Sequence, residues 1–500
     1  MRMVRSSQRV LVIFGIFISF FIAACVSPQA VTPAALISTI PLSSCRLTAP
    51  GIQTSLQAKC GSLPVYENRL AKSGRQIPIH VAVIKAISRN YSPDPLFYIA
   101  GGPGEASTES YVIFHTAFSL INQKRDIVLV DQRGTGQSNP LQCTFSREGS
   151  DGANNPDQAA NELLNCRNQL SANADLRYYT TSIAMDDLDE IRQALGYDQI
   201  NLYGVSYGTR AALAYMRQYP GHVRSVILDG VAPPNWSLGS DSSVNAQRSL
   251  DSMFRRCNSE PACKAAYPDL NHEFQSLLQS LQNQPVKVTI NDPLSGELQD
   301  ILVNANYLAN TIFSMSYASE SATLIPLLIH SSYIRKDFNL VASQGLANSE
   351  ATQGQINQGM RFSVLCAEDV PFFRPSDSEQ AGYLGNSFVK DLQNTCEVWP
   401  RGGIPPDFKK PVESTTPVLL ISGQDDPVTP PSNGEMAAQT LSNHLHLVVP
   451  GQGHMNIFRG CLPRIGSSFY ESGSVANLDT ACIKEILPMP FFINFSGPTP

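Results

Sequence analysis

The stretch that most constrains this chain is Gly204-Val205-Ser206-Tyr207-Gly208. An apolar run, 200–203, precedes it, and 209–215 follows with a helix-compatible pattern. A strand that must become a helix within five residues has little steric room. Two glycines let the backbone bend sharply and let neighbouring elements approach, which leaves the Ser206 hydroxyl exposed at a helix N-terminus. Ser206 is therefore the candidate nucleophile, and the chain around it has to be built as strand, turn and helix.

The wider pattern agrees with that requirement. Apolar, β-rich runs at 77–86, 96–100, 126–130, 200–203 and 223–228 alternate with helical stretches, which predicts a mostly parallel α/β sheet. In 182–195, Ile183, Leu188, Ile191 and Leu195 recur near helical spacing, with Ser182 as the expected N-cap. After Asp229 the pattern changes, because 240–405 lacks regular strand spacing and reads as helices joined by loops, a large and mainly helical inserted cap. Sheet-type sequence resumes at 417–422 and 444–449, separated by an expected helix over 432–441. The division read from this is a tether and lead-in segment at 25–75, a core at 76–239 and 406–500, and the cap between them. At 500 residues and 42% hydrophobic, the chain can bury a core of that kind. Its 36 Lys and Arg against 42 Asp and Glu give a net charge of -6, which excludes a sequence-wide nucleic-acid role.

A serine hydroxyl is a weak nucleophile near neutral pH and needs a base, normally His, held by a carboxylate. After an elbow of this kind the acid and then the histidine follow in chain order, on loops after late strands. Gly423-Gln424-Asp425-Asp426-Pro427 follows one such strand, and Gly451-Gln452-Gly453-His454 follows the next. His454 is the candidate base, with Asp425 and Asp426 as rival acids. His444 and His446 alternate with leucines along a strand and read as sheet-face residues. Gly101-Gly102-Pro103-Gly104 follows the 96–100 strand and can aim a backbone N–H at a developing oxyanion. Pro103 has no N–H, so Gly102 is the expected donor, and Tyr207, just after the nucleophile, is its expected partner.

The N-terminus points to export. Arg2, Arg5 and Arg9 precede an apolar run at 10–24, whose length suits a signal peptide and falls short of a bilayer-spanning helix. It ends Ile22-Ala23-Ala24-Cys25, which resembles the lipobox of bacterial lipoproteins; 1–24 would be removed and Cys25 would carry lipid. Membrane contact would then be through that anchor alone, at the bacterial cell envelope. Eleven cysteines less Cys25 leave an even set, suited to disulfides in an oxidising compartment. Neighbour pairing gives Cys45–Cys60, Cys143–Cys166, Cys257–Cys263, Cys366–Cys396 and Cys461–Cys482. There is no Cys-x-x-Cys, and neither metal nor cofactor is expected.

Together, Gly101-Gly102-Pro103-Gly104, Asp131-Gln132-Arg133-Gly134-Thr135-Gly136-Gln137-Ser138, Gly204-Val205-Ser206-Tyr207-Gly208, Asp426-Pro427-Val428-Thr429-Pro430 and Gly453-His454 resemble the proline iminopeptidase and tripeptidyl aminopeptidase branch of the α/β-hydrolases. The likeness spans roughly 96–454 as an ordered set. It implies an α/β-hydrolase fold, a Ser206–His454–Asp426 triad with Asp426 preferred over Asp425, and cleavage of residues or short peptides from free N-termini. Arg133 reads as scaffold. An aminopeptidase must hold its substrate's ammonium with a carboxylate, and Cys366-Ala367-Glu368-Asp369 resembles a Cys-x-x-Asp or Cys-x-Asp feature of the tripeptidyl branch, making Glu368 and Asp369 substrate-binding candidates. A carboxylesterase or lipase with the same triad is the rival reading, because fold and triad do not fix the acyl substrate. A non-catalytic envelope binding protein is the third.

Overall fold

The computed structural model describes residues 39–143, 145, 156–292, 295–352, 354–379 and 382–498. The expected signal peptide at 1–24, Cys25 and the first part of the tether lie outside the described residues. The strands in chain order are β1 (Ser43–Ala49), β2 (Ile52–Tyr66), β3 (Gln76–Ile84), β4 (Leu96–Ile99), β5 (Ile127–Val130), β6 (Ile200–Val205), β7 (Val223–Asp229), β8 (Val286–Asn291), β9 (Leu298–Val303), β10 (Val418–Gly423) and β11 (His444–Val449). All but β8 and β9 join one sheet in the order β1-β2-β3-β5-β4-β6-β7-β10-β11. Pairing is antiparallel from β1 to β5 and parallel from β5 to β11.

The parallel strands β4, β5, β6 and β10 are buried throughout, as expected where helices cover both faces of a sheet. Alternation along each strand divides the side chains between the faces. Phe97, Ile99, Val128 and Leu420 pack with Met185, Leu188, Ala211 and Tyr215 from the helices Thr181–Ala194 and Tyr207–Gln218. Leu96, Tyr98, Leu129 and Ile421 pack on the other side with Tyr111 of the helix Ser107–Phe114 and Phe469 of the helix Leu462–Ser472.

Three local expectations change. The N-cap of the Thr181–Ala194 helix is Thr180, and Ser182 lies inside the first turn. The Thr181 N–H is satisfied from another element, by Glu368 Oε1 at 2.6 Å. The lead-in segment supplies β1 and β2, a hairpin in the main sheet tied by Cys45–Cys60. The cap is helical around a core that includes Leu250, Phe274, Ile312 and Leu328, but it also holds an antiparallel hairpin, β8–β9. All five neighbouring cysteine pairs are joined. No helix among the described residues is long and apolar enough to cross a membrane.

Arg133 is a buried strut. It grips both carboxylate oxygens of Asp187 at 2.6 and 2.8 Å and donates to the carbonyls of Glu67 and Tyr178, which ties the loop after β5 to the Thr181–Ala194 helix and to the end of β2. Removing one partner of a pair this deeply buried costs about 3–5 kcal/mol. Arg133→Ala should therefore lower the urea unfolding midpoint clearly; an unchanged midpoint would contradict this role.

Candidate active site

The Ser206 turn is as tight as its glycines suggest. A Cβ on Gly204 would overlap the Gly208 carbonyl, and one on Gly208 would overlap the Ile99 carbonyl. Ser206 itself is held at φ 54 and ψ -124, a conformation that costs an L-residue energy and persists only where its surroundings impose it. Those surroundings are the Asp229 carbonyl, which accepts the Ser206 N–H at 2.9 Å, and the Thr209 N–H and hydroxyl, which donate to the Ser206 carbonyl. The Ser206 hydroxyl makes no hydrogen bond among the described residues.

His454 Nδ1 lies 2.8 Å from Asp426 Oδ2, with both side chains almost wholly buried. A proton on Nδ1 donates to the carboxylate and leaves Nε2 free to accept one. Asp426 is bonded on every side: Val428 and Thr429 N–H groups donate to Oδ1, and the Thr429 hydroxyl donates to Oδ2. Burial opposes its ionisation, but His454 and these donors hold its pKa below the ordinary value. Burial likewise opposes a charged imidazole, yet Asp426, with Asp229 and Glu105, outweighs it and raises the His454 pKa. Asp425 turns the other way, accepting from Ser252 in the cap helix Ser242–Ser259. Asp426 is thus the carboxylate that meets the imidazole.

Strand register brings this pair to the serine. Val205 of β6 pairs with Asp229 of β7, so Ser206 and Gly230 leave adjacent strand ends together. The imidazole rests on Gly230, where an added Cβ would lie 3.0 Å from His454 Cε1. The Tyr317 carbonyl accepts the His454 N–H at 2.7 Å, and Asp229 accepts the Asn456 and Ile457 N–H groups. No hydrogen bond joins Ser206 Oγ to His454 Nε2 here; such contacts tighten when substrate binds. The Gly102 and Tyr207 N–H groups donate to nothing among the described residues, whereas the Gly101 N–H is taken by Glu105 Oε2 at 3.3 Å.

Glu368 and Asp369, the expected substrate-binding carboxylates, sit inside the fold with partners of their own. Both are fully buried and their oxygens are occupied. Glu368 accepts from the Thr181 N–H and hydroxyl, and burial pushes its pKa up to about 7. Asp369 accepts two bonds from Arg210 and one from the Leu238 N–H. Glu368 braces the Thr181–Ala194 helix, and Asp369 the Tyr207–Gln218 helix, against the cap. Sequence reasoning missed Asp229, Tyr317, Thr429 and Glu105 at the site. The one available signal for Thr429 was its place in Asp426-Pro427-Val428-Thr429, three residues after the acid.

The alpha/beta hydrolase fold family matches residues 94–460. The chain belongs to the α/β-hydrolases. The serine protease Hip1 of Mycobacterium tuberculosis is 24% identical over 489 residues, covering 88% of this chain and 90% of Hip1. Carboxylesterase B of the same species is 23% identical over 481 residues, covering 88% and 89%. A tripeptidyl aminopeptidase of Streptomyces coelicolor is 30% identical over 198 residues, 35% of this chain and 36% of that one. This α/β-hydrolase is of the serine-hydrolase type, and its five disulfides fit an exported protein.

Because Asp369 braces the fold, Asp369→Asn should lower the unfolding midpoint while leaving KM for a cleaved substrate within about twofold. A large rise in KM with an unchanged midpoint would return Asp369 to the pocket.

Proposed function

We propose that this α/β-hydrolase is a serine exopeptidase acting on free N-termini, with Ser206 as nucleophile, His454 as base and Asp426 as the acid that orients it. The observation that carries the reading is the buried 2.8 Å bond between His454 and Asp426, set on Gly230 beside the Ser206 turn. His454 Nε2 takes the Ser206 proton as the oxygen attacks the acyl carbon. The Gly102 and Tyr207 N–H groups, unspent elsewhere among the described residues, receive the oxyanion. His454 then protonates the leaving amine, and water releases the acyl-enzyme by the same route. The names of Hip1 and of the tripeptidyl aminopeptidase favour a peptide substrate. The name of carboxylesterase B favours an ester as the second reading. We place the enzyme at the bacterial cell envelope, anchored through a lipid on Cys25.

Free and N-blocked peptidyl arylamides, together with simple esters, separate the two readings. Free-amine peptides should be cleaved best; cleavage of blocked peptides and esters with free-amine peptides ignored would overturn the exopeptidase. The base must be neutral to act, and Asp426 raises its pKa, so kcat/KM should rise with pH through an inflection above the ordinary histidine value of 6.5. Asp426→Asn should lower kcat by about 10⁴-fold and move the inflection down, since the largest opposition to burial is then gone and only Asp229 and Glu105 remain against it. An inflection at or below 6.5 in the wild type would contradict the assignment of His454.

A further inference from the structure

Glu105 follows the Gly101–Gly104 turn, and beyond helping to raise the His454 pKa it has no role in the chemistry described so far. Its Oε2 accepts the Gly101 N–H, and it makes no ion pair and no other side-chain hydrogen bond among the described residues. It lies beside the nucleophile: a Cβ added to Gly101 would sit 3.3 Å from Ser206 Cβ and 3.4 Å from Glu105 Oε2. The cap fixes it there. Glu105 forms a β-bridge with Ile356, and the Asn357 N–H and side-chain amide both donate to the Gly104 carbonyl. His454 and Tyr317 feel its charge.

A carboxylate in this place has a cost for the reaction. Negative charge develops on the substrate oxygen between Gly102 and Tyr207, and a bare carboxylate nearby opposes it. A cation bound to Glu105 would remove that penalty. Whatever its side chains, a peptide with a free N-terminus carries such a cation, two bonds from the first acyl carbon. Each further residue moves the amine away by roughly 3.3–3.6 Å, so the amine of a departing tripeptide would lie on the order of 7 Å beyond this reach.

Resting on the exopeptidase reading, we propose that Glu105 binds the α-ammonium of the residue being released, so that one amino acid leaves per turnover. Glu105 is then a specificity residue. It favours free amines by a charge-assisted bond and disfavours blocked substrates by leaving its own charge uncompensated beside the oxyanion.

The test compares wild type, Glu105→Gln and Glu105→Asp on aminoacyl p-nitroanilides, their N-acetyl forms and tripeptidyl p-nitroanilides. Fluorophosphonate labelling of Ser206 reports an intact turn in each variant. Glu105→Gln should lower kcat/KM on free aminoacyl substrates by about 100-fold, mainly through KM, while the acetylated forms are unaffected or improve. Glu105→Asp should lose less of the preference, since it keeps the charge; where Gln abolishes labelling, a fall confined to the free amines in the Asp variant carries the comparison. An unchanged ratio of free to acetylated rates in a labelled variant would overturn the assignment. Faster wild-type release of tripeptides than of single residues would overturn it too. A wild type that hydrolyses esters and no free-amine substrate would instead overturn the parent reading.

Discussion

The site depends on in-register parallel pairing at one edge of the sheet. Val205 opposite Asp229, Asp229 opposite Ile421 and Gly423 opposite Val449 bring the loops after β6, β7, β10 and β11 to the same place. Each loop then contributes one part: Ser206, Gly230 under the imidazole, Asp426 and His454. Asp229 joins them. Its carbonyl holds the Ser206 N–H, and its carboxylate, fully buried, accepts Tyr203, Asn456 and Ile457. A slip in any of these strands would separate side chains that lie more than 200 residues apart in the chain.

Buried charge is handled consistently around this edge. Uncompensated ions in a dry interior are expensive, and each fully buried one has partners: Asp187 with Arg133, Asp369 with Arg210, Asp131 with Thr108 and Gln137, Asp426 with four donors. Glu105, half-buried, has a single backbone donor at 3.3 Å. Half-buried beside Ser206, its carboxylate is open to a charge brought by the substrate.

The parts legible in the sequence were those with a short-range physical signature. The Ser206 turn needs two glycines and is flanked by a strand and a helix; β10 and β11 are apolar runs ending in loops that carry Asp426 and His454. The cysteine pairs were readable because each closes a short loop. What stayed hidden is set by partners distant in sequence. The Thr181–Ala194 helix looked capped by Ser182 because nothing local shows that Glu368 supplies an acceptor from 187 residues away. Glu368 and Asp369 looked free for the same reason, since Thr181 and Arg210 consume them only in the folded chain. The β8–β9 hairpin has half-exposed strands, VKVTIN and LQDILV, with too few large apolar residues to stand out among helices. Glu105 carried no signal at all, because its meaning lies in the cations it lacks.

The most direct measurement of the central claim is mass-spectrometric mapping of the residue modified by a fluorophosphonate probe in the folded enzyme. The account predicts one adduct, on the peptide containing Ser206, lost in Ser206→Ala and slowed in His454→Ala. Modification at another residue, or equal labelling of the Ser206→Ala protein, would contradict it.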